Sequence, residues 1–94
     1  MNDQVIKEAR DMIAGFIVNR RQELGYTQAE LAERAGLGRA TVERIEGRKF
    51  LPDGKSLLKL CHALDCYFFF AEKESDDTLV KAMRRRWQRP GQDN

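Results

Sequence analysis

The sequence contains little of what catalytic, metal-binding or disulfide-linked proteins depend on. Its 94 residues include one histidine and two cysteines. His62 stands directly beside Cys61, which is not the C-x-x-C or H-x-x-x-H spacing that brings two ligands to one metal ion. The sequence also has no Ser/His/Asp set and no glycine-rich phosphate loop. We therefore expect no enzyme activity, no metal site and no cofactor.

The apolar segments that mark membrane and exported proteins are missing as well. No apolar run approaches the roughly 18 residues that a membrane-crossing helix needs. The first residues, MNDQVIKEAR, do not have the basic-then-apolar order of a signal peptide. Disulfides are then unexpected, and we interpret Cys61 and Cys66 as small core hydrophobes. These absences favour a cytoplasmic protein without membrane contact.

Apolar residues are present in an amount that suits one small domain. They make up 41% of the chain, which is enough for one modest core. Between residues 3 and 24 they recur at helical spacing, with Asp3 as a candidate N-cap and Gly25 just past the helix end. Gly15 interrupts this pattern, so one long helix and two shorter ones both fit it.

Two short helices are predicted next. Thr27 and Glu30 have the spacing of a capping box, in which each side chain accepts a hydrogen bond from a free backbone N–H of the first helical turn. The helix that they start ends near Ala35, and Gly36 supplies a tight turn because glycine adopts positive φ without steric cost. A further helix is predicted from about Gly38 to Glu46.

Three further elements are predicted from residue 53 onward. Asp53 is predicted to cap a fourth helix, whose apolar residues keep helical spacing. The segment CYFFFAEK, residues 66–73, is short, aromatic-rich and apolar on both alternating faces, which favours a strand. A last helix is predicted to start at Ser75 and stop at Pro90. The basic run Arg84–Arg86 within it fits either a solvated helix face or a contact with DNA or a partner.

The helix from Gly38 to Glu46 has a face suited to nucleic acid. Each residue rotates an α-helix by about 100°, so placing Val42 and Ile45 inward turns Ala40 and Arg44 outward. Glu43 flanks these two residues on the outer face. The DNA major groove admits a helix of this shape, and an arginine matches guanine O6 and N7 with two hydrogen bonds. This pattern favours DNA recognition.

The stretch LGYTQAELAERAGLGRATVERIEGRK, residues 24–49, resembles the helix-turn-helix of Cro and lambda-type repressors, the XRE family. The resemblance implies a mostly α, lambda-repressor-like bundle of four to five helices. It implies a phosphate contact for Gln28, phosphate contacts just past the recognition helix, and a structural ion pair between Arg21 and Glu46. The candidate DNA-binding residues are Gln28, Arg39, Ala40, Thr41, Glu43, Arg44, Arg48 and Lys49.

The chain departs from this family in two places. Gly38 stands where members usually carry Ser or Thr, which predicts a less firmly capped recognition helix. The family's fifth helix is replaced by the predicted strand, and this order of elements resembles the antitoxin partners of HipA-type kinases. The resulting division is an N-terminal helical extension at 1–16, a DNA-binding domain at 17–65, a dimerisation strand at 66–74, and a C-terminal helix and tail at 75–94.

The predicted strand implies a homodimer. A lone strand leaves backbone N–H and C=O groups unpaired, and a second copy related by a two-fold axis supplies a matching antiparallel strand. The candidate interface residues are Cys66, Tyr67, Phe68, Phe69 and Phe70. Two functions remain open: a sequence-specific transcriptional repressor that binds palindromic double-stranded DNA, and an antitoxin whose main role is to bind and neutralise a toxin protein.

Overall fold

The computed structural model describes residues 2–68, and this part of the chain is mostly helical. Helix α1 spans Asp3–Glu23, α2 spans Gln28–Ala35, α3 spans Arg39–Glu46, and α4 spans Gly54–Ala63. Their order and lengths are compatible with the expected helix-turn-helix bundle. No helix among the described residues is long and apolar enough to cross a membrane.

Helix α1 is continuous, and it begins one residue earlier than expected. The N-cap is Asn2, whose Oδ1 accepts a hydrogen bond from the Val5 backbone at 3.0 Å. Asp3 is therefore not the cap but the first helical residue, where its negative charge still complements the positive end of the helix dipole. Gly15 is buried within the unbroken helix. Of the two alternatives that the sequence left open, the structure has the single long helix.

The two short helices differ at their starts. At α2, the Glu30 backbone donates to Thr27 Oγ1 at 3.0 Å, and the Thr27 backbone donates to Glu30 Oε1 at 2.9 Å. This is the expected capping box, and the hydrogen bond from the Thr27 backbone lowers the pKa of the Glu30 carboxyl. At α3, Gly38 is the N-cap and provides no side-chain hydrogen bond. The chain turns between the two helices at Gly36, which has φ +68°.

The core lies where the helices meet. Helix α2 packs against α3 and α4, while α1 packs against α3. The buried residues that form one cluster are Ile17, Leu31, Ala32, Ala35, Val42, Ile45, Leu60 and Leu64. Asp53 caps α4 as expected, since its Oδ1 accepts from the Ser56 backbone at 2.7 Å. Arg20 joins α1 to the end of α4 by donating from Nε to the Leu64 carbonyl at 2.9 Å.

The predicted strand lies only partly within the described residues. Residues 66–68 belong to no helix or strand in the structure. Cys66 is half-buried against the core, and its thiol donates to the Leu64 carbonyl at 3.3 Å. Tyr67 and Phe68 are exposed. Phe69, Phe70, the rest of the strand at 66–74 and the helix predicted from Ser75 lie outside the described residues, so the pairing of two copies stays a prediction.

Candidate nucleic-acid interface

Helix α3 has one buried face and one exposed face. Val42 and Ile45 are almost fully buried, at 1% and 2% relative exposure, because they pack into the core cluster. Thr41 is half-buried at the edge of the exposed face. The residues that lie fully on that face are Arg39, Ala40, Glu43 and Arg44. The structure therefore brings together on one surface the residues that the sequence assigned to base contact.

Two of these exposed residues interact with each other. Arg39 Nε lies 3.2 Å from Glu43 Oε1, one helical turn away, and both side chains are largely open to solvent. An exposed pair at this spacing contributes only about 0.3–0.5 kcal/mol. Because the pair is so weak, a ligand that offers stronger partners can separate Arg39 from Glu43. Ala40 is exposed on the same face, where its small side chain leaves room beside the charged residues.

The C-terminal end of α3 is held by a buried polar network. Glu46 accepts from Arg21 twice, at 2.7 Å from Nε and at 3.0 Å from Nη2. The Glu46 side chain is 5% exposed and that of Arg21 is 14% exposed. Arg21 also donates from Nη1 to the Tyr26 carbonyl at 2.8 Å. The ion pair implied by the resemblance is thus present, and it ties α1, the α1–α2 turn and the end of α3 together.

Gln28 belongs to the same network. Its Nε2 donates to Glu46 Oε1 at 2.9 Å, which fixes the amide at the N-terminus of α2. A primary amide carries a second N–H and a carbonyl oxygen, so this bond leaves further hydrogen-bonding capacity. Gln28 can therefore contact a phosphate while it remains bonded to Glu46. The sequence did not predict this bond, because only the fold brings the first residue of α2 to the last residue of α3.

The turn after α3 positions two basic residues. The Arg48 backbone donates to the Ile45 carbonyl at 3.1 Å, and the Lys49 backbone donates to the Arg44 carbonyl at 2.9 Å. These two bonds form the Schellman motif, in which the residue just past the helix adopts a left-handed conformation. Arg48 occupies that position with φ +62°. Its side chain is half-buried, whereas Lys49 is exposed.

Two residues of α1 reach this turn, and neither contact is predicted from the sequence. Asp11 Oδ1 lies 3.0 Å from Arg48 Nε. Arg10 Nη1 donates to the Lys49 carbonyl at 3.5 Å, at the long end of the hydrogen-bond range. No local pattern reports these contacts, because they join residues almost forty positions apart through long side chains. The polar residues at α1 positions 7, 10 and 11 are the only trace of them in the sequence.

A helix-turn-helix family model matches residues 17–70, which is more than half of the chain. The matched region contains the second part of α1 and all of α2, α3 and α4. It therefore includes every residue assigned to DNA contact, but it excludes the first fourteen residues of α1. No curated protein matches the chain significantly.

Proposed function

The chain belongs to the helix-turn-helix family of Cro/C1-type DNA-binding regulators, and we propose that it is a transcriptional repressor that binds a palindromic operator as a homodimer. The observation that carries this proposal is the division of α3 into a buried apolar face and an exposed polar face. A helix that is anchored on one side and polar on the other can enter the major groove without losing its packing.

The exposed face of α3 supplies the groups that base edges require. Arg39 and Arg44 can each donate two hydrogen bonds to guanine O6 and N7. Glu43 can accept from the amino group of cytosine, and the Ala40 methyl suits contact with a thymine methyl. The Arg39–Glu43 pair is weak, so it can be exchanged for base contacts on binding.

A second set of residues is suited to the DNA backbone. Gln28 lies at the positive N-terminal end of α2, where anions are favoured. Arg48 and Lys49 lie immediately past the C-terminus of α3. Phosphate contacts of this kind fix the register of the protein on the duplex but carry little sequence information. Because they release counterions, binding should weaken with salt at a log–log slope of about −0.9 per phosphate neutralised.

The test of base recognition is selection of binding sites from random duplex DNA. Arg44→Ala should cost about 1–3 kcal/mol at one base pair and relax the selected preference there. Lys49→Ala is the matched control, because it should weaken binding to all sequences alike. If the selected site is the same for the wild type and for the Arg44→Ala and Arg39→Ala variants, α3 is not the recognition helix.

The homodimer part of the proposal concerns residues 66–74. Exposed Tyr67 and Phe68 support it, since aromatic side chains leave solvent when a partner strand covers them. A two-fold dimer would place two copies of α3 about 34 Å apart, in successive major-groove turns. Sedimentation of the Phe69→Lys variant tests the interface, since a buried lysine should dissociate the dimer. A wild-type monomer at micromolar concentration, or an equally tight dimer of the variant, would contradict this arrangement.

The alternative is an antitoxin whose main partner is a toxin protein. The same exposed aromatic residues suit it, because a toxin could cover them in place of a second copy. Co-purification with the product of a neighbouring gene, combined with a wild type that is monomeric alone, would favour this alternative over the repressor.

A further inference from the structure

The first part of α1 contacts the turn that follows the recognition helix. Residues 3–16 precede the family match, which begins at residue 17. Asp11 nevertheless holds Arg48 at 3.0 Å, and Arg10 donates to the Lys49 carbonyl at 3.5 Å. Two neighbouring residues of α1 thus reach two neighbouring residues of the turn. The N-terminal part of α1 therefore lies beside the C-terminal end of α3.

These contacts assemble a basic cluster, defined here as Lys7, Arg10, Asp11, Arg48 and Lys49. The two oxygens of Asp11 hold different cations, with Oδ1 on Arg48 and Oδ2 on Lys7 Nζ at 3.1 Å. Four cations against one carboxylate leave a net charge of +3. The chain as a whole carries +2. The net charge of the cluster therefore exceeds that of the whole chain.

The ion pairs add too little stability to account for so many charged residues in one place. Lys7 is 66% exposed and Asp11 is 40% exposed, and pairs this open to solvent contribute little to stability. The left-handed residues after α1 and α2 are Gly25 and Gly36, which adopt positive φ without strain, whereas those after α3 and α4 are Arg48 and Asp65. From this position the long cationic side chain of Arg48 reaches Asp11 on α1.

We propose that this basic cluster is an additional phosphate-binding site, formed by the N-terminal part of α1 together with the turn after α3, that binds the DNA backbone beside the recognition helix. The site rests on the proposed function, because it needs α3 in the major groove. Arg48 and Lys49 follow α3 directly, and the contacts of Asp11 and Arg10 bring Lys7 and Arg10 to the same place. Cations within a Debye length of about 8–10 Å of the phosphates act on them with little screening.

The ligand of this site is a phosphodiester rather than a base. Lys7 and Arg10 lie on a helix that the core holds apart from the exposed face of α3, because α1 packs on the inner side of α3. Asp11 carries both of its cations on one carboxylate, which keeps Lys7 and Arg48 close enough to act on adjacent phosphates. The N-terminal part of α1 thus adds affinity that is independent of sequence.

The salt dependence of duplex binding tests this site. Lys7→Gln and Arg10→Gln each remove one charge while keeping a good helix former, and each should make the log–log slope less steep by about 0.9. The double variant should lose about twice that amount, with the selected binding sequence unchanged. Arg34→Gln is the matched control for Arg10→Gln. Arg34 lies outside the basic cluster, is exposed at the C-terminal turn of α2, and stacks over the Tyr26 ring at 4.3 Å.

The outcomes separate this inference from the proposed function. The additional site is supported if the wild type binds its selected site with a steep salt slope and if Lys7→Gln and Arg10→Gln lose slope while Arg34→Gln does not. Equal slopes for the wild type and the Lys7→Gln/Arg10→Gln variant, with circular dichroism showing intact helices, overturn it while leaving the recognition helix in place. An equal loss for Arg34→Gln overturns it too, because net charge alone would then explain the effect. A wild type that binds no duplex DNA overturns both.

Discussion

The two short helices of the helix-turn-helix unit have the same length but are stabilised in different ways. Helix α2 carries its own stabilising contacts: the Thr27–Glu30 capping box at its start and Gly36 with φ +68° at its end. Helix α3 has no side-chain cap at Gly38 and ends before Arg48, a non-glycine residue at φ +62°. Helix α3 is stabilised by contacts from other parts of the chain. The helix with the exposed polar face is therefore stabilised by tertiary rather than by local contacts.

Helix α3 obtains from tertiary contacts what α2 obtains locally. Val42 and Ile45 are buried in the core, and Glu46 is bound by Arg21 and Gln28 from two other helices. Asp11 holds the turn that follows. Contacts on the inner side leave the outer face free for a ligand. Because α3 is stabilised through its buried side, it does not need Arg39, Glu43 and Arg44 on its exposed face for its own stability.

The largest expected effect comes from removing the tertiary support of α3. Arg21→Met leaves the Glu46 carboxylate buried without its bidentate partner, and this should lower the free energy of unfolding by about 3–5 kcal/mol. The double variant Arg21→Met/Glu46→Leu should lose less than the Arg21→Met variant, because no uncompensated charge remains. Urea denaturation of the wild type, both single variants and the double variant measures this coupling. Additive losses would show that α3 does not depend on the buried pair.

Local contacts, such as those of α2, can be predicted from the sequence more easily than the tertiary contacts that stabilise α3. Helix α2 was predicted with its cap and its terminating glycine, because Thr27, Glu30 and Gly36 act on their own backbone neighbours. The exposed face of α3 followed from helical rotation once Val42 was placed inward. The family resemblance, rather than any local pattern, led to the Arg21–Glu46 pair. Asp11 at Arg48 and Gln28 at Glu46 were missed, since side-chain contacts between distant residues depend on the assembled fold.

The predicted N-cap of α1, Asp3, is wrong by one residue. Asn2 and Asp3 are both good N-caps, and the hydrophobic pattern that begins with Val5 and Ile6 fits a helix start at either residue. The structure selects Asn2, whose side chain reaches the Val5 backbone N–H. An acidic residue is then left in the first helical turn, where it is favoured as well. Adjacent residues with the same capping chemistry cannot be ranked from sequence alone.

A smaller effect is expected from the local cap of α2. Thr27→Ala removes the hydroxyl that accepts from the Glu30 backbone, and it should lower the free energy of unfolding by about 1 kcal/mol. Thr27→Ser is the matched control, because serine keeps a hydroxyl that can accept the same hydrogen bond. Thermal denaturation compares the two variants. A loss for Thr27→Ser that equals the loss for Thr27→Ala would mean that α2 does not depend on the side-chain cap that α3 lacks.

The smallest effect is expected from a substitution that gives α3 a side-chain N-cap like that of α2. Gly38 has φ −73° and ψ +147°, an extended conformation that any residue adopts, and a Cβ there would meet only Thr41 Oγ1, at an ordinary 3.7 Å. Gly38→Ser therefore fits without strain, and its hydroxyl can accept from a backbone N–H of the first turn of α3. Serine exceeds glycine as an N-cap by a few tenths of a kcal/mol. For a domain of this size that corresponds to a rise in Tm of about 1–2 °C. The selected DNA sequence should stay the same, because the outward side chains keep their positions. A fall in Tm would show that the start of α3 is held in a conformation that a side-chain cap disturbs, and that tertiary contacts alone set where this helix begins.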